Sequence, residues 1–298
     1  MRKEHFDAVI IGSGPGGEGA AMRLVKGGYR VAIVEKQPRV GGSCTHHGTI
    51  PSKALRHSIQ SVMDFRRDPF FSAAAIQTHV SYQQLLSRAA EVINDQVSLR
   101  VRHYQRNRVP IYTGEASFLE PQVLQVTHED AQTVRISFDY AIIATGSRPY
   151  HPDDVDFSQP NIVDADTVLD LNHTPRSITI YGAGVIGCEY ASIFSNLGLK
   201  VNLVNTRDRL LSYLDDEITD ALSYHLRQQG VVIRHNEQYD KVVTDKGRVT
   251  LHCESGKQFT TDYVLWANGR SGNTADMNLD AIGVETDKEA QAAMAAIG

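Results

Sequence analysis

Few folds are open to a sequence that writes the same glycine-spaced turn twice, each time between a strand-like run and a helix-like one. Asp7-Ala-Val-Ile-Ile-Gly12 is short, apolar and rich in β-branched residues, the pattern of a strand buried in a parallel sheet. Gly12-Ser-Gly14-Pro-Gly-Gly17 then fits G-x-G-x-x-G, residues 18–26 fit a helix closed by Gly27-Gly28, and residues 30–34 form a second strand ending in Glu35. Residues 177–181, Gly182-Ala-Gly184-Val-Ile-Gly187, a helix to Leu197 and a strand over 200–205 repeat the arrangement. Glu35 follows Gly12 by 23 residues and Asn205 follows Gly182 by 23, so these two residues are positional equivalents.

In such a turn the first glycine permits the tight bend, the second lets backbone N–H groups approach a pyrophosphate, and the third lets helix pack on strand. The expectation is an α/β protein with two Rossmann-like dinucleotide-binding domains. Glu35 should accept hydrogen bonds from a ribose diol. At the second turn the acid is replaced by neutral Asn205, and Arg207 and Arg209 follow, where a guanidinium can pair with a 2′-phosphate. Gly182, Gly184 and Gly187 complete that turn, and Asn205 admits NADP(H) without forbidding NAD(H).

Helical periodicity marks residues 54–65 and 81–106; in the second, Leu86, Ala89, Ala90, Ile93 and Val97 share one face. Residues 111–143 and 239–268 alternate like antiparallel meanders, ending in Ala144-Thr-Gly-Ser-Arg-Pro149 and Val264-Leu-Trp-Ala-Asn-Gly-Arg270. An acidic, proline-bearing stretch over 150–175 marks a boundary, giving a first domain over 1–155 and a second over 156–272. Thirty Lys and Arg against 35 Asp and Glu give a net charge of −5, which offers no global field for nucleic acid or an anionic membrane. The cluster Arg100, Arg102, Arg106 and Arg108, with His103 and Tyr104 interleaved, reads as a solvated helix end. No apolar run is long enough for a membrane span, and the first strand begins too early for a signal peptide. The three cysteines form neither a C-x-x-C metal pair nor a disulfide framework, so no metal is expected and the chain reads as cytoplasmic.

Gly41-Gly-Ser-Cys-Thr-His-His-Gly-Thr-Ile-Pro-Ser-Lys53 resembles the signature of the flavoprotein disulfide reductases: Gly-Gly-x-Cys, four residues, a second Cys, then x-Pro-Ser-Lys. Cys44 matches the first cysteine, but Thr49 stands where the second belongs, and a threonine cannot join a dithiol relay. The sequence is similar in this to the branch of that superfamily that moves hydride between pyridine nucleotides. The likeness continues through Ser-Arg-Pro-Tyr-His-Pro152, Ile180–Phe194, Asn205–Leu211 and Ala267-Asn-Gly-Arg270.

The resemblance implies a glutathione-reductase-like pair of FAD- and NAD(P)-binding domains. It places the ADP end of FAD on Gly12, Gly14, Gly17 and Glu35, the flavin along Gly42, Cys44 and Lys53, and Thr145-Gly146 beside the cofactor. Lys53 would sit near the flavin N5 and pair with Glu189, these two being the candidate catalytic residues; Gly269, with Asn205 and Arg207, belongs to the coenzyme side. Cys44, His46 and His47 then read as structural, Cys44 as a small buried packing residue. The implied reaction passes hydride from NADPH through FAD to NAD by turns at one nicotinamide site. A dihydrolipoamide dehydrogenase-like reductase and a nucleotide-binding module without turnover are the alternatives. The resemblance further implies that 273–298 begin a return segment to the FAD domain. It implies as well that full-length members form homo-oligomers through a C-terminal dimerisation domain, which is expected to be absent from this sequence.

Overall fold

The computed structural model describes residues 4–70, 80–171 and 173–287. The chain forms two compact units: Met1–Ile50, Glu91–Arg148 and Arg270–Gly298 make the first, Pro51–Ala90 and Pro149–Gly269 the second. The alanine-rich stretch 290–298 lies outside the described residues.

In the first unit, β1 (Glu4–Ile11), α1 (Pro15–Lys26) and β2 (Val31–Glu35) are the expected strand–helix–strand, followed by the short helix α2 (Gly42–His46). Helices α3 (Thr49–Arg67) and α4 (Tyr82–Arg106) each run across the division between units. Then come β3 (Ile111–Thr113), β4 (Glu115–Glu120), β5 (Val123–Thr127), β6 (Thr133–Ile143) and β7 (Ser147–Pro149), the last paired with β16 (Arg270–Gly272). The six-stranded sheet has the order β3-β2-β1-β6-β5-β4. Strand β6 serves twice: Thr133–Ser137 pair antiparallel with β5, and Ile136–Ile143 pair parallel with β1. Residues 111–113, expected to open the meander, instead lie parallel to β2 with Ile33 opposite Ile111. Val9, Ile10, Ala32 and Ile33 are fully buried, which is why both central strands read as unbroken apolar runs.

The second unit contains β8 (Ile162–Asp164), β9 (Ser177–Tyr181), α5 (Val185–Asn196), β10 (Lys200–Val204), α6 (Asp216–Gln228), β11 (Val232–Arg234), β12 (Tyr239–Asp245), β13 (Arg248–Cys253), β14 (Gln258–Thr261) and β15 (Tyr263–Trp266). Five strands form a parallel sheet in the order β11-β10-β9-β15-β8, and β12, β13 and β14 form the antiparallel meander. Strand β8 falls inside the acidic, proline-bearing stretch read from sequence as a boundary; it exists by pairing with β15. Trp266, the only tryptophan, is 2% exposed and touches the rings of Tyr181 and Tyr239 at centroid distances of 4.6 and 4.8 Å.

Residues 51–90, counted from sequence with the first domain, pack in the second unit, and the divisions fall at Pro149 and Arg270 rather than at 156 and 273. The reason is a shared core: Leu55, Ile59, Tyr82 and Leu85 cluster with Ile178, Ile193 and Phe194, and the Tyr82 hydroxyl donates to the Val168 carbonyl at 2.9 Å. The cluster expected as a solvated helix end also divides. Arg102, Arg106 and Arg108 are exposed, but Tyr104 is fully buried and Arg100 pairs with Glu18 at 3.0 Å.

The two glycine turns are built alike. Gly12 (φ +105°) and Gly182 (φ +108°) lie in the left-handed region, where a Cβ would overlap the carbonyl oxygens of Ala144 and Ala267 respectively. A Cβ at Gly17 would overlap the Gly12 carbonyl oxygen, and one at Gly187 that of Gly182. The middle glycines differ: Gly14 (φ −65°) and Gly184 (φ −76°) have ordinary backbone, and among the described residues a Cβ there meets nothing nearer than the Gly42 Cα at 3.9 Å. Gly17→Ala should therefore destabilise the first unit by more than about 2 kcal/mol through overpacking. Gly14→Ala should stay within about 1 kcal/mol of the parent, the scale of a helix-cap change. Urea unfolding followed by circular dichroism checks the pair; a Gly17→Ala protein as stable as Gly14→Ala would contradict the packing.

Candidate nucleotide sites

At the first turn, α1 begins at Gly14 with no side-chain cap, so its first-turn N–H groups keep their donor capacity. Glu18, the one acid in that turn, is tied to Arg100. The pairing offsets a negative charge where the helix dipole would otherwise favour an anion. Glu35 is 6% exposed, and Oε2 accepts from the Ser13 N–H at 2.9 Å and the Ser13 hydroxyl at 2.5 Å. Its Oε1 accepts the Gln37 N–H at 2.9 Å and keeps a lone pair. Ser13 in turn accepts the Gly41 N–H at 2.9 Å, drawing the start of α2 toward the turn. Ser13 was not singled out from sequence; as an unspecified position of G-x-G-x-x-G it carried no signal.

A Cβ on Gly42 would come within 2.8 Å of the Gly14 Cα, so Gly42 and Gly14 lie against each other. Thr145-Gly146 follow Ala144, whose N–H bonds the Ile11 carbonyl at 2.8 Å, and Asn273 holds both: its side chain donates to the Thr145 carbonyl at 3.1 Å and its N–H to that of Gly146 at 3.0 Å. Gly12, Gly14, Gly17, Glu35, Gly42, Thr145 and Gly146 are thus gathered at the carboxyl ends of β1, β2 and β6. Nothing among the described residues requires glycine at 14. A backbone kept bare toward open space fits a group approaching from outside.

The second unit repeats this at Gly182, Gly184 and Gly187, where α5 also lacks a side-chain cap. Asn205 is 4% exposed and turned inward, with both amide protons taken, by the Arg209 carbonyl at 2.8 Å and His235 Nδ1 at 3.2 Å. The Arg207 guanidinium bonds only the Ser212 hydroxyl, at 2.6 Å, and no carboxylate is paired with it among the described residues. Arg209 is engaged by Asp216. Gly269 carries φ +104° and accepts the Tyr150 N–H at 3.2 Å.

Lys53 belongs to this unit as well. Its ammonium meets Glu189 Oε1 at 2.5 Å, and the same oxygen accepts the Ser52 hydroxyl at 3.2 Å. The lysine side chain is 60% exposed against 15% for Glu189, so the pair itself contributes only about 0–1 kcal/mol to stability. Its use is to fix where a positive charge stands.

Cys44 is half-buried in α2, not fully enclosed as expected for a packing residue, while Cys188 and Cys253 are buried; none is in a disulfide. Burial pushes the Cys188 thiol up to about 12 and the Cys253 thiol up to about 11. Burial also lowers His46 from the ordinary histidine range, and its Nε2 donates to the Val40 carbonyl at 3.0 Å. No helix among the described residues is long and apolar enough to cross a membrane.

A family model described as pyridine nucleotide-disulphide oxidoreductase matches residues 6–295. The chain is 52% identical over 290 residues to the soluble pyridine nucleotide transhydrogenase of Vibrio cholerae, 97% of this chain and 62% of that protein. It is 51% identical over 291 residues to that of Azotobacter vinelandii, 98% of this chain and 63% of that one. Among solved structures, the Cu(II) complex of the HOCl-induced flavoprotein disulfide reductase RclA from Escherichia coli matches 98% of this chain and 62% of its own, with a TM-score of 0.84 and 29% identity. LpdA from Mycobacterium tuberculosis matches in fold, with a TM-score of 0.86 at 21% identity. The chain spans a little over three-fifths of the length of these relatives.

The differing burial of the three thiols has a direct readout. Brief native alkylation with iodoacetamide should label Cys44 and spare Cys188 and Cys253 until denaturant is added. Peptide mass mapping checks this, and equal labelling of Cys188 and Cys44 would refute the assigned burial.

Proposed function

Because the chain belongs to the pyridine nucleotide-disulphide oxidoreductase family, we propose that it serves as a cytoplasmic FAD-dependent transhydrogenase, carrying hydride from NADPH to NAD by turns at one nicotinamide site. The observation that carries this reading is the thiol inventory. Thr49 stands where a dithiol reductase has its second cysteine, and the two remaining cysteines are buried as neutral thiols. With no second sulfur beside Cys44, a disulfide relay has no way to close. That the relatives at 52% and 51% identity are transhydrogenases favours the same reading.

A flavin held by the first unit would supply the two-electron hydride carrier that no side chain provides. Gly12, Gly14 and Gly17 would leave room for its pyrophosphate at the start of α1, and the spare lone pair of Glu35 would accept from a ribose hydroxyl. Gly42, Cys44, Thr145 and Gly146 would line the remainder. Gly182, Gly184, Gly187 and Gly269 would hold the nicotinamide coenzyme in the same way, and Arg207 would pair with a 2′-phosphate when one is present. Lys53, fixed by Glu189, would stabilise negative charge on the reduced ring.

Anaerobic addition of NADPH should bleach the flavin absorbance of the purified protein, and NAD should restore it. Turnover that demands an added disulfide would overturn the reading in favour of a dithiol reductase. Cys44→Ser should slow the cycle by less than about tenfold, whereas Lys53→Met should slow bleaching by about tenfold or more, each tenfold being roughly 1.4 kcal/mol of barrier. Arg207→Ala should weaken NADPH by about 1–3 kcal/mol, the worth of a charge-assisted hydrogen bond, and leave NADH alone. Calorimetric dissociation constants for the two coenzymes check it.

A further inference from the structure

The loop after β10 is held by a device that the first unit lacks. There Ser13 fixes the strand-end residue Glu35; here the equivalent of Ser13 is Ala183, which has no hydroxyl, and the strand-end residue is anchored from the other side. The backbone of Asn205 donates to the Arg234 carbonyl at 2.8 Å and accepts the Glu237 N–H at 3.0 Å, placing it beside the end of β11. Its side chain bridges three groups: Oδ1 accepts the Arg207 N–H at 3.3 Å, and Nδ2 donates to the Arg209 carbonyl at 2.8 Å and to His235 Nδ1 at 3.2 Å.

Those partners decide the amide's orientation. Exchanging its oxygen and nitrogen would set oxygen against the Arg209 carbonyl and N–H against the Arg207 N–H, two repulsions in place of two bonds. With Nδ2 so fixed, His235 Nδ1 can only accept, and the proton of the neutral ring resides on Nε2. The loop this amide organises carries Arg207, whose guanidinium has a hydroxyl partner but no paired carboxylate among the described residues, while the charge of Arg209 is met by Asp216. Arg207 is therefore the cation left for an outside anion.

We propose that His235 is a positioning residue for coenzyme choice: its Nδ1 lone pair fixes the Asn205 amide, which holds the Arg207–Arg209 backbone so that Arg207 meets a 2′-phosphate. The proposal rests on the reading of Arg207 given above and adds the residue that makes this arginine selective. Replacing His235 by alanine removes the acceptor. Replacing it by asparagine returns an acceptor oxygen at the same δ position without the ring.

Calorimetric dissociation constants for NADPH and NADH on the parent, Arg207→Ala, His235→Ala and His235→Asn proteins test it. His235→Ala should weaken NADPH by at least about fivefold and NADH by less than about twofold, the loss expected when one charge-assisted contact is misplaced. His235→Asn should recover NADPH affinity to within about twofold of the parent, as restoring the acceptor restores the hydrogen bond. An asparagine variant as weak as the alanine one overturns the proposal, as does equal weakening of both coenzymes. If Arg207→Ala weakens NADPH and His235→Ala does not, only the role of His235 falls. If Arg207→Ala itself is silent, the reading of Arg207 falls and this inference with it. Two-bond proton–nitrogen correlations on the unmutated protein supply a readout independent of any variant's folding: His235 should show the Nε2–H tautomer, and an Nδ1–H pattern refutes the proposal.

Discussion

Everything at the two glycine turns depends on the missing Cβ where a helix crosses the strand that precedes it. Gly17 packs on the carbonyl of Gly12, and Gly12 on that of Ala144; Gly187, Gly182 and Ala267 repeat the contact. Because the contacts are backbone on backbone, no side-chain adjustment relieves an added methyl. That closeness sets α1 and α5 with their uncapped first turns at the strand ends, so the donors for an anion are a by-product of packing rather than of any dedicated side chain.

On that shared frame the two units diverge at one position. A buried carboxylate, Glu35, is stabilised by a hydroxyl and two backbone N–H groups and remains an acceptor. A buried amide, Asn205, has its donors consumed internally and organises a loop instead. The first arrangement suits a neutral diol and repels a phosphate; the second carries no negative charge and leaves Arg207 with no paired carboxylate among the described residues. A carboxylate in one unit and a shorter amide in the other thus separate an acceptor from a scaffold.

The turns, their flanking elements and the 23-residue spacing were legible because glycine placement and apolar runs are local properties. What escaped was decided by tertiary contact. The helical periodicity of residues 54–65 and 81–106 says that a face is buried, not which core receives it, and Leu55 and Tyr82 go to the second unit. Strand β8 has only three residues and no periodicity to read; β15 recruits it. Arg100 and Tyr104 looked like neighbours of exposed arginines, yet helical rotation turns them toward Glu18 and the core. Ser13 was invisible because a motif written as x conceals the hydroxyl that holds Glu35 in place.

The position of Trp266 has a practical consequence. As the only indole in the sequence, buried against Tyr181 and Tyr239 in the second unit, it makes fluorescence excited selectively at tryptophan a probe of that unit alone, blind to the six-stranded sheet of the other. Circular dichroism weighs both. Where the two signals part company during unfolding, the separation measures how independently the halves lose their order, and a midpoint from tryptophan fluorescence alone describes half a molecule.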